Sequence, residues 1–228
     1  MNCVRILVQD LEEWEVKLAH LKDAFPTLVT NVGGRYDKTL WWEMESMSED
    51  SEAAAKEMID SLWGDGVYAH EDKPLAVLVA ERLRAKGQVI SVAESLTGGA
   101  LAAELVRYPG ASDVFDEGVV AYSRRAKTAR LGVDAALIER EGAVSSAVAS
   151  AMAKGLLRDG VCNVAVSTTG IAGPIGDGVC TTLGLTYIGV ATAEKDQTYM
   201  HIFKGDREGV RRQAVAWALL HALRAIKG

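Results

Sequence analysis

Five residues, Val89-Ile90-Ser91-Val92-Ala93, constrain the fold of this 228-residue chain most. They lie between Gly87 and the hydroxyl- and glycine-rich turn Glu94-Ser95-Leu96-Thr97-Gly98-Gly99. So short and apolar a run reads as a buried strand. A strand of this kind belongs in a sheet covered by helices. The surrounding pattern agrees. Pro74 opens a helix in which Leu75, Leu78, Val79 and Leu83 share one face, and Gly87 stops it. Helices are expected over Thr97–Tyr108, Lys127–Leu131 and Ala135–Glu139. Ser145 caps a further helix with Val148, Met152 and Leu156 inward, and Arg207–Ile226 forms the last one. Strands are expected over Gly118–Tyr122 and Val161–Ser167, then over Gly184–Thr192 and Thr198–Lys204 as an antiparallel pair. A glycine-rich loop runs from the Val161–Ser167 strand to about residue 183. The expectation is an α/β domain of three layers around a mixed sheet.

Composition divides the chain near residue 70. Residues 1–70 hold six Lys and Arg against fourteen Asp and Glu, a net of −8 within a total of −6. They also hold four of the five tryptophans. This part reads as a small α+β domain: strand Val4–Val8, helix Leu11–Ala24, strand Thr27–Val32, a Gly33-Gly34 turn, strand Thr39–Met44, and a helix Ser51–Leu62 after a Ser48 cap. Gly64-Asp65-Gly66 and His70-Glu71-Asp72-Lys73 read as linker. The expected domains are therefore 1–70 and 71–228. So acidic a first part argues against nucleic acid as partner. The longest nearly apolar stretch, Ala214–Leu223, is too short to span a bilayer and is broken by His221. No signal pattern follows Met1, so no membrane association and a cytoplasmic location are expected. Three scattered cysteines and four histidines without ligand spacing predict no disulfide framework, no metal and no cofactor.

Three segments carry chemistry. Ala93–Gly99 is a strand-to-helix turn, where open backbone N–H groups make either an anion site or a plain cap. Gly110-Ala111-Ser112 precedes a stretch containing Tyr122, Arg124, Arg125 and Lys127. A hydroxyl nucleophile needs a base, and lysine serves only when its pKa falls from about 10.4. The alternative there is a surface lysine and a sheet tyrosine. Thr169-Gly170-Ile171-Ala172-Gly173-Pro174 follows a buried strand, where open α/β sheets gather ligands, or it is an ordinary loop. In the last helix, Arg207 and Arg211 are candidates for a bidentate grip on an anion, or for surface ion pairs with Asp206 or Glu208.

Together these segments resemble the CinA C-terminal domain, the nicotinamide mononucleotide amidohydrolase family. The motifs are AESLTGG at 93–99, GVVAYSRRAK at 118–127, LGV at 131–133, GAVS at 142–145, TGIAGP at 169–174 and GDREGVRRQA at 205–214. Residues 1–70 are similar to the KH-like connecting domain of full-length CinA proteins, and the expectation is a chain without their larger N-terminal nucleotide-processing domain. The resemblance implies an α/β/α sandwich with a mixed, mostly parallel sheet. It implies metal-free hydrolysis of nicotinamide mononucleotide to nicotinic acid mononucleotide and ammonia, a step of NAD salvage. It places the serine nucleophile at Ser112, with Lys127 as its partner and Tyr122 nearby. Ser95 is the alternative nucleophile. It also implies a mononucleotide pocket lined by Ser95, Thr97, Gly98, Gly99, Thr169, Gly170 and Gly173, to which Arg207 and Arg211 add cations. A homo-oligomer is compatible with this reading.

The chain departs from the family pattern in places. Leu96 stands where a cysteine is usual, and Ser146 where a glutamate is. After TGIAGP, Thr181, Thr182 and Leu185 replace the lysine, proline and threonine of a Lys-Pro-Val-Gly-Thr ending. The lost loop cation favours a second reading, a nucleotide-binding or regulatory module without hydrolysis. A third reading, RNA binding through residues 1–70, is opposed by their acidity and by Val32-Gly33-Gly34-Arg35, which is not a GXXG clamp.

Overall fold

The computed structural model describes residues 2–9, 11–26, 37–42, 48–69, 73–176 and 182–226. The chain divides into two compact units, Met1–Pro74 and Leu75–Gly228.

In the first unit, β1 (Asn2–Leu7) lies between β2 (Asp37–Trp42) and β3 (Val67–Ala69), antiparallel to both. Helices α1 (Leu11–Ala24) and α2 (Glu49–Trp63) cover this sheet. Their core gathers Val4, Ile6, Trp14, Leu18, Leu21 and Ile59. The rings of Trp14 and Trp63 meet at 5.0 Å. Ser48 caps α2 as expected, accepting from the Ser51 N–H at 3.2 Å. β3 replaces part of the expected linker, its three residues being too few to show a period. Gly66, just before it, is required by close approach, because a Cβ there would lie 2.5 Å from the Leu7 carbonyl. The expected strand Thr27–Val32, the turn after it and the Val32–Arg35 segment lie outside the described residues, as do Thr181 and the end of the expected strand Thr39–Met44.

The second unit is a five-stranded sheet in the order β5-β4-β6-β7-β8. The strands are β4 (Ile90–Glu94), β5 (Phe115–Val120), β6 (Val164–Gly170), β7 (Leu185–Ala191) and β8 (Asp196–Ile202). β4 is parallel to both β5 and β6, while β7 runs antiparallel to its neighbours β6 and β8, so four of the five strands point the same way. The sheet is mixed, and its flanking helices make the three layers expected. Helices α3 (Leu75–Lys86), α4 (Ala100–Leu105) and α8 (Arg207–Ala225) pack together on one face. Helices α5 (Arg124–Leu131), α6 (Ala135–Glu141) and α7 (Ser146–Leu156) cover the other. Every residue of β4 is buried, as its apolar run predicted. In α7, Ser145 caps and Val148, Met152 and Leu156 point into the core. α7 lies tight on the sheet at Gly189, where a Cβ would meet the Ala149 carbonyl at 2.5 Å.

Several boundaries differ from expectation; β5 runs Phe115–Val120 and not Gly118–Tyr122, and β8 Asp196–Ile202 and not Thr198–Lys204. α4 spans only Ala100–Leu105, because Gly98 and Gly99 take φ of +60° and +98° and delay the helix. β6 begins three residues later than expected and continues through Thr168 and Thr169, which pair with Glu94 and with Tyr187. α5 begins at Arg124, because Ser123 accepts from the Ala126 N–H and caps it.

Candidate active site

β4 leads to α4 and then to β5 on one side. β5 leads through α5–α7 back past β4 to β6 on the other. The loops leaving the carboxyl ends of β4 and β5 therefore depart toward opposite faces. The crevice between them is where such sheets bind ligands. A cavity of about 390 Å³ opens there. Ser95 and Leu96 after β4, Tyr122–Arg124 and Lys127 after β5, and Thr169–Gly173 at the end of β6 line it, together with Arg207 from α8.

The pairing of Glu94 with Val120 sets Ser95 and Ala121 side by side. The Ala121 N–H donates to the Glu94 carbonyl at 2.8 Å, and the Ser95 N–H donates to Thr168 at 2.9 Å. From the first turn of α5, Lys127 folds back beneath this junction. Its Nζ donates to Ser95 Oγ at 2.8 Å and to the Ala121 carbonyl at 2.9 Å. The lysine is 1% exposed and the serine 8%. Burial lowers the Lys127 pKa from 10.5 to about 8, because an ammonium group loses its hydration there. Once Nζ loses a proton, the same short contact can run the other way, with the serine hydroxyl donating to the amine.

Arg207 closes one side of the cavity. Its Nη1 donates to the Gly173 carbonyl at 2.7 Å and its Nη2 to the Tyr122 hydroxyl at 3.1 Å. Tyr122 is 58% exposed at the rim. Thr169 donates to the Ala143 carbonyl at 2.8 Å, holding the β6 loop against the segment before α7. Arg124, Lys127 and Arg207 line the cavity, and no carboxylate is among its described lining residues. The cavity therefore favours an anionic occupant.

The structure thus brings Ser95, Tyr122, Lys127, Thr169, Gly170, Gly173 and Arg207 together. Ser112 is not among them. It sits exposed in the short turn Ala111–Asp113, where Arg84 holds the Gly110 carbonyl at 3.0 Å. That turn precedes β5, whereas Lys127 follows it. A six-residue parallel strand separates the two ends by roughly 20 Å. The expected pairing of Ser112 with Lys127 is therefore corrected to Ser95 with Lys127.

The glycine turn also differs from expectation. Three amides at its helix end are taken by the protein itself, because the buried Glu94 carboxylate accepts from Gly99 at 2.8 Å, Leu101 at 3.0 Å and Ala102 at 2.8 Å. Thr97 is wholly buried, its hydroxyl 2.7 Å from that of Thr168. Thr97, Gly98 and Gly99 support the site from behind and do not line the cavity. Arg211 is likewise engaged, with Nε on the Leu96 carbonyl at 3.2 Å and Nη2 on the Thr97 carbonyl at 2.7 Å. Sequence reasoning passed over Glu94. Its signal was a lone carboxylate ending an otherwise apolar buried strand, just before glycines and a helix. Among the described residues, no group of three or more His, Cys, Asp or Glu could hold a metal ion, and no helix is long and apolar enough to cross a membrane.

Fold and site define a class: a three-layer α/β/α domain with a buried serine–lysine pair at the carboxyl ends of parallel strands. Residues 72–226 match the CinA C-terminal domain, and the chain belongs to that family. A CinA-like protein of Anaeromyxobacter dehalogenans is 41% identical over 172 residues, covering 75% of this chain and 42% of the relative. The chain spans under half the length of the curated relatives it matches. A crystal structure of a competence-damaged protein (CinA) superfamily protein from Klebsiella pneumoniae superposes with a TM-score of 0.65 at 34% identity, over 67% of this chain and 95% of that one. One from Escherichia coli gives 0.65 at 30% identity, over 70% and 94%.

Proposed function

We propose that this cavity hydrolyses the carboxamide of nicotinamide mononucleotide, giving nicotinic acid mononucleotide and ammonia, with Ser95 as nucleophile and Lys127 as general base. The observation that carries this is the 2.8 Å contact between Ser95 Oγ and a buried lysine whose pKa is lowered to about 8. Neutral Lys127 takes the hydroxyl proton as Ser95 Oγ attacks the amide carbon. The resulting ammonium returns the proton to the departing nitrogen, which leaves as ammonia. An acyl ester remains on Ser95. Water then attacks that ester, gives its proton to Lys127, and releases the acid and a free serine. Tyr122 accepts from Arg207, so its own O–H can donate toward the substrate at the rim. The cationic lining supports a phosphate-bearing substrate.

A second reading, a binding module without turnover, is favoured by Thr181 in place of the family's loop lysine. Ammonia release from nicotinamide mononucleotide decides between them. The wild-type chain is expected to release ammonia and nicotinic acid mononucleotide in equal amounts. Ser95→Ala should lose at least a thousandfold in kcat and still bind the mononucleotide. Tight binding with no turnover by the wild type at saturating substrate would remove the amidase reading.

A further inference from the structure

The turn that carries Ser95 is held from two sides, by groups that do not line the cavity. On one side, both oxygens of the wholly buried Glu94 carboxylate accept three backbone N–H groups, from Gly99, Leu101 and Ala102. On the other, Arg211 reaches across from α8 and spreads its guanidinium over two consecutive carbonyls, those of Leu96 and Thr97. Its remaining Nη1 donates to Glu208 at 2.8 Å, which orients the fork. Within the turn, the Gly98 N–H bonds the Ser95 carbonyl at 3.1 Å. Three amides and two carbonyls next to the serine are thus engaged by this chain's own charged side chains.

We propose that Glu94 and Arg211 are positioning residues: a carboxylate on the amides and a guanidinium on the carbonyls fix the Ser95 turn so that Oγ stays within reach of Lys127. This rests on the reading of Ser95 as nucleophile. It also reassigns Arg211, which sequence reasoning placed on the substrate. A fork over two carbonyls fixes both distance and plane, and a single ammonium group cannot reproduce that. Loss of about an ångström in nucleophile placement costs on the order of a hundredfold in rate. Binding of the mononucleotide depends on groups of the cavity and should be spared.

The test uses the full chain with Arg211→Lys, Arg211→Gln and Glu94→Gln, and Arg212→Lys as control. Arg212 pairs with the same Glu208 but touches neither carbonyl in the described contacts. Two readouts are taken: kcat and KM for the mononucleotide, and the rate at which a fluorophosphonate probe labels Ser95. Arg211→Lys is expected to lower kcat and the labelling rate ten- to a hundredfold, with KM within threefold of wild type. Arg211→Gln should fall further, and Arg212→Lys should match wild type. In Glu94→Gln, the amide NH₂ would face a backbone donor where an oxygen accepted, so loss of both readouts with retained binding is expected. If that variant does not fold, the two Arg211 variants carry the test alone. A tenfold rise in KM at unchanged kcat would make Arg211 a substrate ligand and overturn the proposal, as would wild-type labelling and turnover in Arg211→Gln. Failure of the underlying reading looks different, because the wild type itself would then neither turn over the mononucleotide nor be labelled at Ser95.

Discussion

Lys127 offers the sharpest quantitative test. Its ordinary pKa of 10.5 is lowered to about 8 by burial. At pH 7 this raises the neutral fraction from about 3 in 10,000 to roughly one in ten. A base in this position makes kcat/KM climb nearly tenfold per pH unit below 8 and level off above it. Lys127→Arg keeps a cation of similar reach that does not deprotonate, so it should lose roughly 10²–10⁴ in kcat across the range. The same burial costs the fold. A shift of about 2.5 units corresponds to about 3.4 kcal/mol against the buried ammonium. The folded pKa lies below the unfolded one, so that cost is fully present below pH 8 and relieved as pH rises from 8 to 10.5. Lys127→Met removes the charge but strands the Ala121 carbonyl, at about 1–3 kcal/mol. The variant should therefore match or exceed wild-type stability at pH 7 while being inactive. Ammonia release between pH 6 and 9.5 and urea unfolding at pH 7 are the measurements. Turnover that is flat from pH 6.5 to 9, or a Lys127→Arg variant with more than a tenth of wild-type activity, would refute lysine as the base.

Three further outcomes are expected. Ser112→Ala should keep wild-type kcat and KM in the ammonia assay, because that exposed turn lies at the other end of β5; a thousandfold loss would restore it as nucleophile. His201 and His221 are buried with their Nε2 atoms 2.9 Å apart, and burial lowers their pKa values to about 4 and about 3. Both therefore stay neutral in the fold while the unfolded chain protonates below pH 6.5, so stability should fall by about 2–4 kcal/mol between pH 6.5 and 5, read by urea unfolding, with flat imidazole resonances over that range. Gly189→Ala should destabilise by about 1–3 kcal/mol in the same assay, because its methyl would collide with the Ala149 carbonyl and, at 2.6 Å, with Ser167 Oγ.

The layers of the second unit were legible because β4 is an apolar run and α7 follows a serine cap, whereas β5 and β8 are half polar and blur at their ends. Ser123, Ser145 and Asp206 each accept from an N–H at the start of a helix. The site was legible only in parts. Tyr122 in the loop after β5 and Lys127 in the first turn of α5 stand five residues apart, so one motif delivers both. Their serine comes from another strand, 32 residues earlier in the chain. Nothing in spacing alone chooses Ser95 over Ser112. The choice is made by strand direction, since residues just after a parallel strand lie at one end of the sheet and residues just before it lie at the other. The glycine turn, open in the sequence between an anion site and a plain cap, was ambiguous for a different reason. Glycines announce free amides, but the Glu94 carboxylate takes that of Gly99 and the Ser95 carbonyl takes that of Gly98.

The register of β4 against β5 has one more consequence. It sets Ser95 beside Ala121 at the carboxyl ends of β4 and the edge strand β5, and Lys127 is held there by its bond to the Ala121 carbonyl. The residues that meet an incoming ligand come from elsewhere, chiefly Ile171–Gly176 in the β6–β7 connection and Arg207 at the start of α8. Reactivity and selectivity are therefore inherited through separable stretches of chain. On the proposed amidase reading, substitutions in that connection, where Thr181 stands in place of the family's usual lysine, retune what the pocket accepts and leave the Ser95–Lys127 contact undisturbed.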